Sequence, residues 1–228
     1  MLGCIRLLNA FIANGLECIV LCPGSRSGPL AIAAGGFAEM GRLKLINSID
    51  ERSAAFLALG ISTGTSKAVV VITTSGTAVA NLLPAAVEAD RSCQPLIFLT
   101  ADRPERLKDC GSNQTVNQEE FLKSVCRCVE QTPKKGLHNC SNEMIKKIAG
   151  KLWNEAHKYP GPPGPVHCNI AFEEPLHPSF LEQREAWNIK DWHFSNNSKY
   201  LSTLKDFVIE DIIDIAKLDP SLPGVVIA

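Results

Sequence analysis

Six short apolar runs recur along the chain, and several are apolar almost throughout rather than on alternate residues. They are "ECIVLC" (Glu17 to Cys22), "KLINSI" (Lys44 to Ile49), "AVVVITT" (Ala68 to Thr74), "PLIFLTA" (Pro95 to Ala101), a weaker "VCRCVEQ" (Val125 to Gln131) and "PVHCNIAF" (Pro165 to Phe172). A strand wetted on one face alternates, whereas one covered on both faces reads as a continuous apolar run. The stretches between them have helical spacing. "NEMIKKIAGKLWNEAHK" puts Ile145, Ile148, Ala149, Leu152 and Ala156 on one stripe and turns Lys146, Lys147, Lys151 and Glu155 elsewhere. "TAVANLLPAAVEA" carries Pro84 within such a pattern, which predicts a kink or a restart there. Strands alternating with helices predict an α/β fold: a doubly wound parallel sheet with helices on both faces.

With 228 residues, 45% of them hydrophobic, and a net charge of −1, the chain has the composition of an ordinary globular protein. Such a charge balance gives no electrostatic grip on nucleic acid or anionic lipid, so neither is expected as a partner. No apolar stretch is long enough to span a bilayer. Nine cysteines are scattered, and Cys4, Cys18, Cys22, Cys93, Cys126, Cys128 and Cys168 lie in or beside apolar runs, as buried free thiols do. A reducing compartment follows, and Cys126 with Cys128 lacks the second pair a zinc site needs. The expected location is the cytoplasm, or a plastid in a photosynthetic eukaryote; the sequons at Asn113, Asn139 and Asn196 read as chance.

After Phe172 the texture changes. "EEPLHPSFLEQREAWNIKDWHFSNNSKY" has little periodicity and reads as a linker, followed by a helix in "TLKDFVIEDIIDIAKL" and a strand in "PSLPGVVIA". A lone parallel strand has no sheet to bury it. The expected organisation is a domain over 1–176, a linker over 177–201, and over 202–228 the truncated start of a second α/β domain.

Ligands of open parallel sheets gather beyond the carboxyl ends of the strands. The connections there are "CPGSRSG", "DERS", "SGT" and the long "DRPERLKDCGSNQTVNQ". Each has a local reading: Ser27 as N-cap with Pro29 in the first turn, Thr77 as cap, and Asp50 and Glu51 as acids favoured at a helix start. Arg26, Arg52, Arg103 and Arg106 also lie in these loops, and guanidinium suits bidentate recognition of carboxylate or phosphate.

In order and spacing, "CPGSRSGPLAIAA", "IDERSAAFLALG", "TTSGTAVANLLPAAVEA", "PLIFLTADRPERLKDCGSNQTVNQ" and "GPVHCNIAFEEPL" resemble the N-terminal pyrimidine-binding domain of the 2-succinyl-5-enolpyruvyl-6-hydroxy-3-cyclohexene-1-carboxylate synthase family. The likeness covers about the first three quarters of the chain, either as that enzyme or as the corresponding module of a PHYLLO-like fusion protein. It implies a thiamine-diphosphate-dependent transferase of menaquinone and phylloquinone biosynthesis, joining 2-oxoglutarate to isochorismate with loss of carbon dioxide. By the same resemblance, Glu51 is the catalytic glutamate that hydrogen-bonds the cofactor's aminopyrimidine, with burial among Ile46, Ile49 and Phe56 disfavouring its ionisation. Ser25, Arg26, Arg103, Asn113 and Gln114 match substrate-binding positions, and Ser75, Gly76 and Thr77 match the turn lining the pyrimidine pocket. Ser48, with Asn47 before it, stands where the family often has a histidine nearby.

The family holds Mg2+ or Mn2+ through a Gly-Asp-Gly motif on a separate C-terminal domain, and no such motif occurs in this sequence. Because the family's site forms between two subunits, the resemblance implies a homo-oligomer, at least a dimer, and a chain that is inactive alone. Two alternatives stand beside this reading. One is another thiamine-diphosphate enzyme such as an acetolactate synthase, against which "GSRS" and "DCGSNQ" speak. The other is a non-catalytic scaffolding domain of the same fold.

Overall fold

The computed structural model describes residues 1–133, 136–158 and 161–187. The expected strand in "PSLPGVVIA", the helix before it and the boundary at 201 lie outside the described residues. The chain divides into a unit spanning Met1–Lys190 and a second spanning Asp191–Ala228, of which the first is described.

Each apolar run forms a strand: β1 (Cys18–Leu21), β2 (Lys44–Asn47), β3 (Val69–Thr73), β4 (Leu96–Asp102), β5 (Val129–Gln131) and β6 (Pro165–Ala171). They make one sheet in the order β2-β1-β3-β4-β6-β5, with every pairing parallel. The central β1, β3 and β4 are buried along their whole lengths, which is why their sequences do not alternate. Both edge strands are partly wet.

The helices are α1 (Leu2–Ala13), α2 (Gly28–Glu39), α3 (Glu51–Thr65), α4 (Thr77–Ala80), α5 (Leu83–Arg91), α6 (Asn142–His157) and α7 (Phe180–Trp187). Helix α6 buries Ile145, Ile148, Ala149, Leu152 and Ala156, the stripe its periodicity predicts, and Ser141 caps it by accepting from the Met144 amide at 3.1 Å. At Pro84 the helical pattern breaks into α4 and α5, and proline sits in the first turn of α5, where its missing N–H leaves no bond unmade. Small residues let α3 and α5 lie close to the sheet: Ala54, Ala55, Ala58, Ala85, Ala86 and Ala89 pack with Val20, Val71 and Phe98 in one core cluster. Helices α1, α2 and α6 contact one another or their neighbouring strands, and α3 and α5 contact each other.

Three local expectations need correction. Gly76, not Thr77, is the N-cap of α4, because its φ of +81° lies in the left-handed region that glycine enters without a Cβ penalty. Ser27 is the N-cap of α2, but its hydroxyl donates back to the Gly24 carbonyl at 3.0 Å instead of capping an amide. Cys93 is exposed, at a left-handed turn after α5, whereas Cys4, Cys18, Cys22, Cys140 and Cys168 are buried. Residues 180–187, which show little periodicity, form α7, where Ala186 is buried and the Trp187 ring meets Phe37 edge-on at 5.2 Å. Among the described residues no helix is long and apolar enough to cross a membrane.

Candidate functional site

The order of strands makes the chain step outward from β1 to β2 and then return to β3 on the other side, so the β1 and β3 ends flank a topological switch point. Open sheets bind ligands in that crevice, beyond the carboxyl ends. The loops after β1, β2, β3 and β4 open there, bringing Ser25 and Arg26, Glu51, Ser75 to Thr77, and Arg103 to Gln114 to one edge.

A bonded cluster forms its centre. One Arg103 guanidinium nitrogen, Nη1, donates to Ser75 Oγ at 2.6 Å and to the Gln114 carbonyl at 2.8 Å. Gln114 Nε2 donates to the Ser75 carbonyl at 2.8 Å, closing the triangle. A Cβ on Gly76 would lie 2.7 Å from Gln114 Cγ, so glycine is needed there for space as well as for its positive φ. Arg26 is 7% exposed and donates to the Phe172 carbonyl at 3.0 Å and to Glu174 at 3.2 Å, while its Nε is buried without a partner. Desolvation holds the Arg103 guanidinium below its ordinary range, and the Arg26 charge adds to this against Asp102 and Glu174. Two guanidinium groups so placed favour an anionic ligand.

Glu51 is the first residue of α3. The preceding Asp50 caps the helix by accepting from the Ser53 amide at 2.7 Å, a bond that lowers the Asp50 carboxyl's affinity for protons. Glu51 Oε2 accepts from Asn81 Nδ2 at 3.2 Å, which fixes the carboxylate at the helix start, and among the described residues no protein group donates to Oε1. Burial pushes the Cys22 thiol, at the end of β1, up to about 12, with Glu51 and then Asp50 adding to the effect, so the acidic pair faces the end of that strand. Among the described residues the expected apolar enclosure of Glu51 is not formed. Ile49 is 90% exposed and Phe56 39%, because the sequence places them on the outward side of the β2 loop and of α3. Ser25, Asn113 and Thr77 are exposed on the same edge, and Arg52 points outward from α3, while Arg106 pairs with Glu173 at 2.8 Å.

Sequence reasoning missed Asn81, Glu174 and a buried polar set behind the cluster. Gln118 is fully buried: its Oε1 accepts from the Gly76 amide at 2.8 Å, and its Nε2 donates to the Ala101 carbonyl at 2.9 Å and to Asn169 Oδ1 at 2.8 Å. Asn169 Nδ2 donates to Asp102 Oδ2 at 2.7 Å, and Thr100 Oγ1 lies 3.0 Å from Asn169 Oδ1 and 2.7 Å from His167 Nε2. The available signal was polar residues inside apolar strands, at Thr100, His167 and Asn169, since buried polar groups need partners.

Burial lowers the His167 pKa to about 4, with Glu119 opposing the shift. The unfolded imidazole protonates near 6.5, so between those values the unfolded state binds a proton that the folded state refuses. Stability is therefore complete above about pH 6.5 and falls as pH drops towards 4, by up to about 3 kcal/mol. Urea midpoints measured from pH 7 to 4.5 should fall more steeply in the wild type than in His167→Gln; equal slopes would remove His167 from the acid response.

The family described as thiamine pyrophosphate enzyme, N-terminal TPP binding domain, matches residues 5–123. Proteins named 2-succinyl-5-enolpyruvyl-6-hydroxy-3-cyclohexene-1-carboxylate synthase match over most of the chain. One from Prochlorococcus marinus (strain MIT 9313) is 58% identical over 223 residues, 94% of this chain and 37% of its own length. One from Synechococcus sp. (strain WH7803) is 62% identical over 175 residues, covering 77% of this chain and 30% of its own length. Another, from Synechococcus sp. (strain CC9605), is 50% identical over 229 residues, 100% of this chain and 39% of its length. This chain thus spans under two fifths of the length of the curated relatives it matches. With the profile covering just over half its residues, on the strands and loops that build this edge, the chain belongs to the thiamine pyrophosphate enzymes, as an N-terminal TPP binding domain.

Proposed function

We propose that this chain is the pyrimidine-binding part of a thiamine-diphosphate-dependent transferase that joins 2-oxoglutarate to isochorismate, giving 2-succinyl-5-enolpyruvyl-6-hydroxy-3-cyclohexene-1-carboxylate. The observation that carries the reading is a carboxylate with one oxygen held by Asn81 and the other open, on the same sheet edge as an Arg26–Arg103 pair. An aminopyrimidine needs such a carboxyl, and two carboxylic acids need such cations. In this reading the Glu51 carboxyl, at Oε1, would share its proton with the ring nitrogen while Asn81 keeps the side chain from turning away. Arg103, oriented by Ser75 and Gln114, and Arg26, oriented by Phe172 and Glu174, receive the substrate carboxylates; Ser25, Asn113 and Thr77 complete the edge. When bound, the cofactor supplies the carbon nucleophile that takes up the keto acid and lets carbon dioxide leave.

The exposed Ile49 and Phe56 fit a homo-oligomer, because an apolar surface beside Glu51 calls for cover, and cover from a second subunit would supply desolvation that the described residues do not. No cluster of three metal-binding side chains occurs among the described residues. The diphosphate and its divalent cation, Mg2+ or Mn2+, belong in this proposal to the remaining length of the protein. Residues 1–176 are then the domain, 177–201 the linker and 202–228 the start of the next domain, and the 228-residue chain alone is inactive.

The test is carbon dioxide release from 2-oxoglutarate by the full-length protein, with and without thiamine diphosphate and isochorismate. Cofactor-dependent release and formation of the adduct are expected. Arg103→Ala should lower kcat/KM by about 1.5 to 3 kcal/mol, the worth of a charged hydrogen bond. A full-length protein that does not decarboxylate 2-oxoglutarate in the presence of the cofactor would end this reading.

A further inference from the structure

Several ion pairs among the described residues are exposed, such as Lys123 with Glu120 and Lys67 with Glu17, and pairs of that kind contribute little. Lys108 differs. Its side chain is 10% exposed, and its ammonium lies 3.2 Å from Asp102 Oδ2 and 2.7 Å from Glu119 Oε1. Asp102 is the last residue of β4 and Glu119 lies in the short 3₁₀ turn Gln118–Glu120, so one cation in the middle of the long site loop is tied to both of its ends.

Each end leads directly to the candidate site. Asp102 Oδ1 accepts from the Arg103 amide at 2.7 Å, which sets how the chain leaves β4 at the residue whose guanidinium meets Ser75 and Gln114. Glu119 follows Gln118, whose side chain holds the Gly76 amide. Two carboxylates that share one ammonium at these distances lie within about 6 Å of each other, close enough that, without the cation between them, their charges push the two ends of the loop apart. Among the described residues, His167 from β6, which faces Glu119, and Arg103, which faces Asp102, also act on this cluster. Burial opposes the charge on Lys108, but its bonds to Glu119 and Asp102 outweigh that opposition and raise its pKa.

We infer that Lys108 is a positioning residue: its ammonium staples the loop between β4 and Gln118 to the sheet edge and so keeps Arg103 and the Ser75–Gly76 turn in place for the acid substrates. This role rests on the reading of the site given above.

The experiment uses the full-length protein and two readouts, amide hydrogen exchange, which needs no activity, and KM for 2-oxoglutarate across pH 6 to 9. Lys108→Met should speed exchange across residues 103–117 and 75–77 by at least about tenfold, leaving β1 and β3 protected. KM should rise more than kcat falls. The double variant Lys108→Met/Glu119→Gln, which removes the like-charge pair, should recover part of the KM at every pH, and Lys108→Arg should stay close to wild type. Unchanged exchange in Lys108→Met overturns the inference, as does loss of protection spread over the whole chain with no recovery in the double variant. If Lys108→Met does not fold, Glu119→Gln decides. It frees one end of the staple, so residues 113–120 should exchange faster, and wild-type exchange there overturns the inference. A wild-type protein that does not decarboxylate 2-oxoglutarate ends the proposed function instead, while the exchange data still decide whether Lys108 holds the loop.

Discussion

Glu51→Gln in the full-length protein should lower thiamine-diphosphate-dependent turnover by about 10²- to 10⁴-fold, the range for a lost proton-transferring group. Its thermal midpoint should hardly move. Gln keeps the length of Glu, and its amide oxygen still accepts from Asn81 Nδ2, so the side chain can stay at the head of α3. What disappears is the negative charge and its ability to exchange a proton with a ring nitrogen. The structural cost is the loss of one favourable charge at a helix N-terminus, of order 0.3 to 1 kcal/mol, with Asp50 still capping the Ser53 amide. Steady-state rates with 2-oxoglutarate, alongside a melting curve, check both halves. Wild-type rates would remove Glu51 from the chemistry, and an equal loss of folding would reduce it to a helix-start residue.

Phe98→Ala carries the largest expected stability change, a loss of about 3 to 5 kcal/mol. Phe98 is fully buried at the middle of β4, where β3 and β6 pair on either side of it. The core cluster it belongs to includes the small side chains Ala85, Ala86 and Ala89 of α5, too short to fill the space an aromatic ring leaves. Relaxation is limited because those helices already sit close to the sheet. Urea unfolding should show a lower midpoint, and a shift below about 1 kcal/mol would mean that the site collapses more readily than alanine-lined packing suggests.

The architecture was largely legible because doubly covered strands write their burial into consecutive residues. Val69 to Thr73 and Leu96 to Asp102 could scarcely be anything else between helical stretches. Helix α6 was legible for the complementary reason, since one buried stripe against lysines fixes a 3.6-residue period. The site was legible in its loops and illegible in its pairings. Asn81 meets Glu51 thirty residues away in sequence, and Gln118 meets Gly76 across forty-two, so no local pattern announces either bond. The apolar enclosure expected around Glu51 failed on direction. Hydrophobic identity marks Ile49 and Phe56 as fit for burial, but the register of the β2 loop and of α3 turns them to the outside.

The ends of the sheet impose a limit on how copies of this fold can associate. Strand β2 pairs over four residues and β5 over three, and the exposed Lys44 begins the β2 margin. A foreign strand laid against either margin would gain few backbone bonds and, at β2, would have to bury or displace an ammonium group. Growth by sheet extension is thus penalised at both sides. Any partner of this sheet would meet it at less cost through helical faces and loop ends, surfaces that recognise shape, than through backbone pairing, which accepts almost any sequence.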